Sequence, residues 1–188
     1  MSYEPVAIPT RYRGYRFRSR LEARWAVLFD HLDIGWLYEP EGFIVGGKHY
    51  LPDFLLECGT WVEVKGYEEG LNKPFLRKAA LTLPCTPASG ERGPRLMVLG
   101  PVHMPYVDPQ PCDIGWLGLE PDGRSGEVLS STYGFGRFWK NRRPWWLEPS
   151  DGPAHWLQPT VHPDEEDTSA AYAAANGARF EHGERGAR

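Results

Sequence analysis

Leu51-Pro52-Asp53-Phe54-Leu55-Leu56-Glu57-Cys58-Gly59-Thr60-Trp61-Val62-Glu63-Val64-Lys65-Gly66 is two short apolar runs joined by a Cys-Gly-Thr turn. Each run is too short for a helix and is bounded by Pro or Gly, so the pair predicts two adjacent antiparallel strands. Side chains alternate along a strand, which sets Glu63 and Lys65 on one face and turns Val62 and Val64 into a core on the other. Asp53, at the head of the preceding strand, is expected beside Glu63 across the ladder. The stretch therefore gathers two acids and a lysine.

Working outward, Ser19 is a natural N-cap for a helix running to about Asp33, with Leu21, Trp25, Leu28, Phe29 and Leu32 as its apolar stripe and Gly35 as its end. Residues 1–18 are expected to be an extended basic arm, with Tyr12, Tyr15 and Phe17 interleaved among arginines. Residues 36–39, 43–45 and 49–57 read as strands, with turn chemistry at Gly46-Gly47, and residues 60–65 as the strand that follows. Residues 72–83 carry Leu76, Ala79, Ala80 and Leu83 on one helical side, stopped by Pro84, and residues 95–99 are a continuous apolar run suited to a buried strand. The order is helix, three-strand meander, helix, strand: an α/β core over residues 19–100. Ten of the 18 prolines and five of the eight tryptophans fall in residues 101–163, a Pro/Trp-rich C-terminal extension that is either β-rich or a loop-rich wrap. Residues 164–188 open on the acidic block Asp164-Glu165-Glu166-Asp167 and continue as an Ala-rich helix to His182.

At 188 residues and 41% hydrophobic content the chain suits one domain with an appendage. Cys58, Cys85 and Cys112 are isolated, which argues against a disulfide framework and a zinc ribbon. No apolar run reaches membrane-spanning length and Met1 to Thr10 lacks a signal-peptide apolar region, so the expectation is a soluble, cytoplasmic protein with no membrane partner. The net charge of −4 hides an asymmetry. Six arginines against Glu4 and Glu22 make residues 1–24 +4, leaving −8 for the rest. Because exposed charges are screened within about 10 Å, a basic arm can still hold phosphate on an acidic protein.

Acids and a lysine in this arrangement suit metal-assisted hydrolysis of a phosphodiester. Carboxylates share a hard divalent cation, and a lysine nearby orients or deprotonates water and stabilises developing negative charge. Glu22 offers a third acid from the flank of the first helix. Ser19-x-x-Glu22 is equally a capping box, in which Glu22 would bond back to the Ser19 amide.

Glu22, Pro52-Asp53 and Glu63-Val64-Lys65, set on helix–strands–helix–strand, resemble the PD-(D/E)XK nuclease superfamily of restriction-endonuclease-like fold. The spacing is similar to that of phage Holliday-junction resolvases and transposon-end-cutting nucleases. Small actinobacteriophage nucleases look similar over a longer stretch, including residues 15–24 and 178–184. The likeness covers residues 11–100 and barely touches 101–165. It implies Mg²⁺ or Mn²⁺ held by Asp53, Glu63 and the Val64 carbonyl, with Glu22 an outer ligand through water, Lys65 at the nucleophilic water, and DNA hydrolysed to 5′-phosphate and 3′-hydroxyl ends. The implied partner is DNA, and paired cutting would call for a homodimer. Two alternatives keep the same residues: a catalytically inactive DNA-binding scaffold of this fold, or a virion or interaction protein whose acids are surface groups.

Arg11, Arg13, Tyr15, Arg16, Arg18, Arg20, Arg24 and Lys78 are the expected DNA contacts, by phosphate pairing and base stacking. The same arginines also read as a solvated face with local ion pairs. Residues 137–146 form a second basic-aromatic cluster, equally a loop pinned by buried tryptophans. The histidines have no ligand spacing, and His49 reads as a strand-surface residue.

Overall fold

Trp61-Val62-Glu63-Val64 and Leu96-Met97-Val98-Leu99 alternate between two hydrophobic clusters, and that alternation defines the layers of the fold. The computed structural model describes residues 7–57, 59–66, 72–84, 96–102, 114–119, 125–130 and 165–180. In it, β7 (Trp61–Val64) and β8 (Leu96–Leu99) run parallel at the centre of a six-stranded sheet. A parallel pair needs a crossover, supplied here by α2 (Lys73–Thr82). Asn72 caps α2 by accepting the Phe75 amide at 3.1 Å, and Pro74 sits in its first turn, where a missing N–H costs nothing.

On one face Trp61, Leu96 and Val98 pack with Leu76, Ala79, Ala80 and Leu83 around α2. On the other, Val62, Val64, Met97 and Leu99 pack with α1 (Arg20–His31). The fold is thus mixed α/β, with three helices among the described residues. The sheet order is β10-β9-β8-β7-β6-β3, where β3 is Trp36–Tyr38, β6 Phe54–Leu56, β9 Ile114–Leu119 and β10 Ser125–Ser130. Except for β7–β8, neighbours are antiparallel.

The basic arm is no simple extended segment from residue 10 onward. It folds as a hairpin of β1 (Thr10–Tyr12) and β2 (Tyr15–Phe17), whose turn residues Arg13 and Gly14 have φ of 48° and 85°, the two positive values of a type I′ hairpin turn. α1 ends before Gly35: Asp33 takes the left-handed conformation (φ 56°) and the Ile34 amide bonds back to the Phe29 carbonyl at 2.9 Å, a closure that also buries Ile34. The meander is β3–β6–β7, and the expected strand 49–57 is interrupted at Leu51-Pro52-Asp53. Its first part belongs to a separate two-stranded hairpin of β4 (Phe43–Val45) and β5 (Lys48–Tyr50), turned by Gly46-Gly47.

Residues 114–119 and 125–130 of the Pro/Trp-rich segment extend the central sheet through β8. The tail helix α3 spans Glu165–Gly177, starting within the acidic block and ending short of His182, which lies outside the described residues. Its Ala171, Tyr172 and Ala175 are buried in the cluster that holds α1. α1 is accordingly buried beyond its predicted stripe, at Ala23, Ala26 and Val27 as well as at Trp25, Leu28 and Phe29. The cluster at residues 137–146 lies outside the described residues. Among the described residues no helix is long and apolar enough to cross a membrane.

Phe54 is the hub of the α1 face. Its ring is fully buried and meets Phe17 of the first hairpin, Phe29 of α1, and Trp36 and Tyr38 of β3, at centroid distances of 5.5–6.0 Å. Phe54→Ala is expected to cost about 3–5 kcal/mol in urea denaturation. Leu37→Ala, at a side chain exposed on the edge strand, should cost under about 0.5 kcal/mol. Similar losses at both positions would contradict this packing.

Candidate active site

Asp53 stands where β6 leaves the ladder. Its amide still donates to the Val62 carbonyl at 2.9 Å, but the preceding residue is Pro52, which has no N–H to offer. The next inward amide of β7, that of Val64, is taken by the Asp53 carboxylate, Oδ2 accepting at 2.6 Å. The acid therefore completes the strand pairing with one oxygen and holds the other, Oδ1, in a cleft of about 780 Å³. Arg18 Nη2 donates to that Oδ1 at 2.7 Å.

Glu63 reaches the same cleft from β7, on the α2 face with Trp61. Its Oε2 accepts from the buried hydroxyl of Tyr50 at 2.9 Å, and Lys65 Nζ lies 2.5 Å from its Oε1. Strand alternation thus places Glu63 and Lys65 together. Burial works against the Lys65 charge, but Glu63 and Asp53 outweigh it and raise its pKa. In this state Lys65 is a cationic hydrogen-bond donor, with no lone pair for taking a proton.

Glu22 projects from the first turn of α1. Ser19 caps the helix: its Oγ accepts the Glu22 amide at 3.2 Å and donates to Glu22 Oε1 at 2.6 Å. The expected bond to the Ser19 amide is replaced by one from the Arg18 amide, at 3.1 Å to Oε2, which also accepts the Tyr38 hydroxyl at 2.6 Å. Capping and membership of the cleft coexist in one side chain, since Glu22 lines the cleft with Asp53 and Glu63.

The three carboxylates are buried, at 6%, 3% and 6% exposure for Glu22, Asp53 and Glu63. Buried carboxylates without full compensation resist ionisation. Asp53 shows the consequence: burial first, then the charges of Glu63 and Glu22, push its pKa up to about 8, against the opposing Val64 hydrogen bond and Arg18. The Arg18 guanidinium is raised in turn, burial being outweighed by Asp53, Tyr38, Glu39 and Glu22. Its side chain is more than half exposed, so water screens it and it offsets only part of the buried negative charge. An all-oxygen donor set with surplus negative charge fits a hard divalent cation. Among the described residues no three His, Cys, Asp or Glu side chains stand as a formed metal cluster. The carboxylates are instead held by Val64, Tyr50, Ser19 and Tyr38 on one side and by Arg18 and Lys65 on the other.

The expected DNA contacts do not all converge. Arg18 lines the cleft. Arg11 and Arg16 are exposed and paired across the first hairpin, and Arg13 forms an ion pair with Asp30. Tyr15 packs against Trp36 with the rings tilted, centroids 5.1 Å apart, and keeps 40% of its surface. Arg20 and Arg24 are half-buried on α1. Lys78 is exposed on α2, close enough to the Gly46 turn that a Cβ there would meet its Nζ at 2.8 Å. Sequence reasoning missed Tyr38 and Tyr50. Alternation gave no signal for Tyr50: Lys48 and His49 are both exposed and Tyr50 alone is buried at the end of the short strand.

Between 3.8 and about 8 the folded chain keeps on Asp53 a proton that the unfolded chain releases, so stability falls as pH rises through that window. In metal-free buffer, wild type should lose on the order of a few kcal/mol between pH 5 and pH 8 in urea denaturation. Asp53→Asn keeps an oxygen for the Val64 amide and should show little of this loss. Parallel pH profiles for the two proteins would contradict the assignment. Comparison of the chain with protein-family models, with curated proteins and with solved structures found no match.

Proposed function

We propose that the chain is a divalent-metal-dependent DNA endonuclease with a restriction-endonuclease-like core, hydrolysing phosphodiester bonds. One observation carries the reading. Three buried carboxylates from α1, from the head of β6 and from β7 line a single cleft, with Lys65 against the last of them. Such a concentration of buried negative charge opposes folding unless a cation uses it.

Asp53 and Glu63, with the Val64 carbonyl, would hold Mg²⁺ or Mn²⁺, and Glu22 would act through water. When bound, the cation supplies charge neutralisation at the scissile phosphate and a lowered pKa for a water molecule. The residues of the chain orient the rest. Tyr50 holds Glu63, Tyr38 and Ser19 hold Glu22, and the Val64 amide holds Asp53, so the carboxylates are preorganised. Lys65, protonated, would orient the attacking water and stabilise negative charge growing on the phosphate. The β1–β2 arginines and Lys78 would position the DNA backbone by phosphate contacts.

A second reading has its own observation. Arg18 already pairs with Asp53, as it would in a DNA-binding scaffold of the same fold that never takes up a metal. Cleavage separates the two. With Mg²⁺ the wild-type protein should cut DNA, tested side by side on four-way junction, flap, single-stranded and plain duplex substrates. Asp53→Asn, which keeps an oxygen for the Val64 amide, and Lys65→Ala should each lower cutting roughly 100-fold or more, with circular dichroism unchanged. Wild-type cutting that both variants retain would remove the site assignment, and no cutting on any substrate would favour the scaffold.

A further inference from the structure

Arg18 occupies an unusual position: its backbone is locked while its side chain is not. The amide donates to Glu22 Oε2 at 3.1 Å and to the Tyr38 hydroxyl at 3.0 Å, fixing where the residue starts. The guanidinium then reaches to Asp53 Oδ1 at 2.7 Å, with Nε 2.6 Å from Glu39 Oε1. The Glu39 contact is an ion pair without an aligned hydrogen bond, since Oε1 has no hydrogen-bond partner. The side chain is more than half exposed, so it leaves its place without disturbing the core.

Asp53 has one oxygen for the backbone and one for a cation. Oδ2 is committed to Val64, and Oδ1, the remaining oxygen, is held by Arg18. A divalent cation on Asp53 and a guanidinium on the same oxygen repel each other at close range. We infer that Arg18 is an internal cation that competes with the divalent metal for Asp53, and that metal binding releases its guanidinium to a backbone phosphate of the nucleic acid in the same cleft. The inference rests on the metal-dependent reading above. Once Asp53 is taken, Glu39 alone is a weak anchor for a largely exposed arginine. Phosphate is the better partner, because it can take the guanidinium fork with two oxygens, whereas Glu39 meets it through one oxygen at Nε without a hydrogen bond. The coupling is reciprocal: a metal that favours DNA through Arg18 is favoured by DNA to the same degree.

Calorimetric titration of the full chain with Mn²⁺, without DNA, tests the competition. Arg18→Gln should bind Mn²⁺ about 10-fold more tightly than wild type, equivalent to about 1.4 kcal/mol. Arg18→Lys keeps the charge but not the fork and should fall between them. Structural damage would weaken Mn²⁺ binding, so the expected direction separates competition from misfolding. The release is tested by fluorescence anisotropy on a short duplex. Ca²⁺ should strengthen DNA binding by wild type and fail to do so in Arg18→Gln. Equal or weaker Mn²⁺ binding by both variants overturns the competition while leaving the metal site standing. A Ca²⁺ gain that survives in Arg18→Gln overturns the release to phosphate. Absence of Mn²⁺ binding in every protein removes the metal-dependent reading and the inference with it.

Discussion

The hydrogen bond from the Val64 amide to Asp53 Oδ2, 2.6 Å long and buried, is the contact on which the rest of the molecule turns. The β6–β7 register stops at Phe54 and Val62, and the buried Val64 amide beyond it, left without an acceptor, would cost about as much as a lost hydrogen bond. A carboxyl group at residue 53 meets that need and brings a titratable acid into the sheet. Glu63, one residue before Val64, is therefore held near Asp53 by backbone geometry rather than by mutual attraction. The strand pairing that stabilises the sheet is also what forces two acids into one cleft.

Three buried acids in one cleft set an electrostatic problem that the chain solves only in part. Fixed dipoles orient each acid: the hydroxyls of Tyr38 and Ser19 hold Glu22, that of Tyr50 holds Glu63, and the Val64 amide holds Asp53. Two cations on flexible stems, Arg18 and Lys65, neutralise part of what remains. The raised pKa of Asp53 is the residue of that incomplete balance. An inert core has no use for such a set, because apolar side chains of similar volume are often at least as stable there.

The sequence made some of this legible. Alternation in Trp61-Val62-Glu63-Val64 is enough to put Glu63 and Lys65 on one face, because a strand has a fixed period of two. Ser19 and Glu22 announce the start of α1, although which amide Glu22 accepts depends on the path of Arg18 and so on the hairpin before it. That hairpin was hidden because Arg13-Gly14 is a less distinctive turn pair than Asn-Gly. The β4–β5 excursion was hidden because Tyr50-Leu51-Pro52-Asp53 continues an apolar run across a break in pairing. The docking of α3 was hidden for a different reason: alanines at 171 and 175 carry little periodic signal, yet they allow close approach to α1, whose Ala23 and Ala26 are equally small. Tyr38 and Tyr50 meet their acids only through tertiary packing, at sequence separations of 16 and 13.

The central claim is that the cleft between α1, β6 and β7 is a divalent cation site. Anomalous diffraction from crystals of the wild-type chain soaked in Mn²⁺ measures this directly. The expected result is a Mn²⁺ peak within about 2.0–2.6 Å of a carboxylate oxygen of both Asp53 and Glu63, with the Arg18 guanidinium withdrawn from Asp53. Saturating Mn²⁺ that leaves no peak between these carboxylates, with Arg18 still on Asp53 Oδ1, would contradict it.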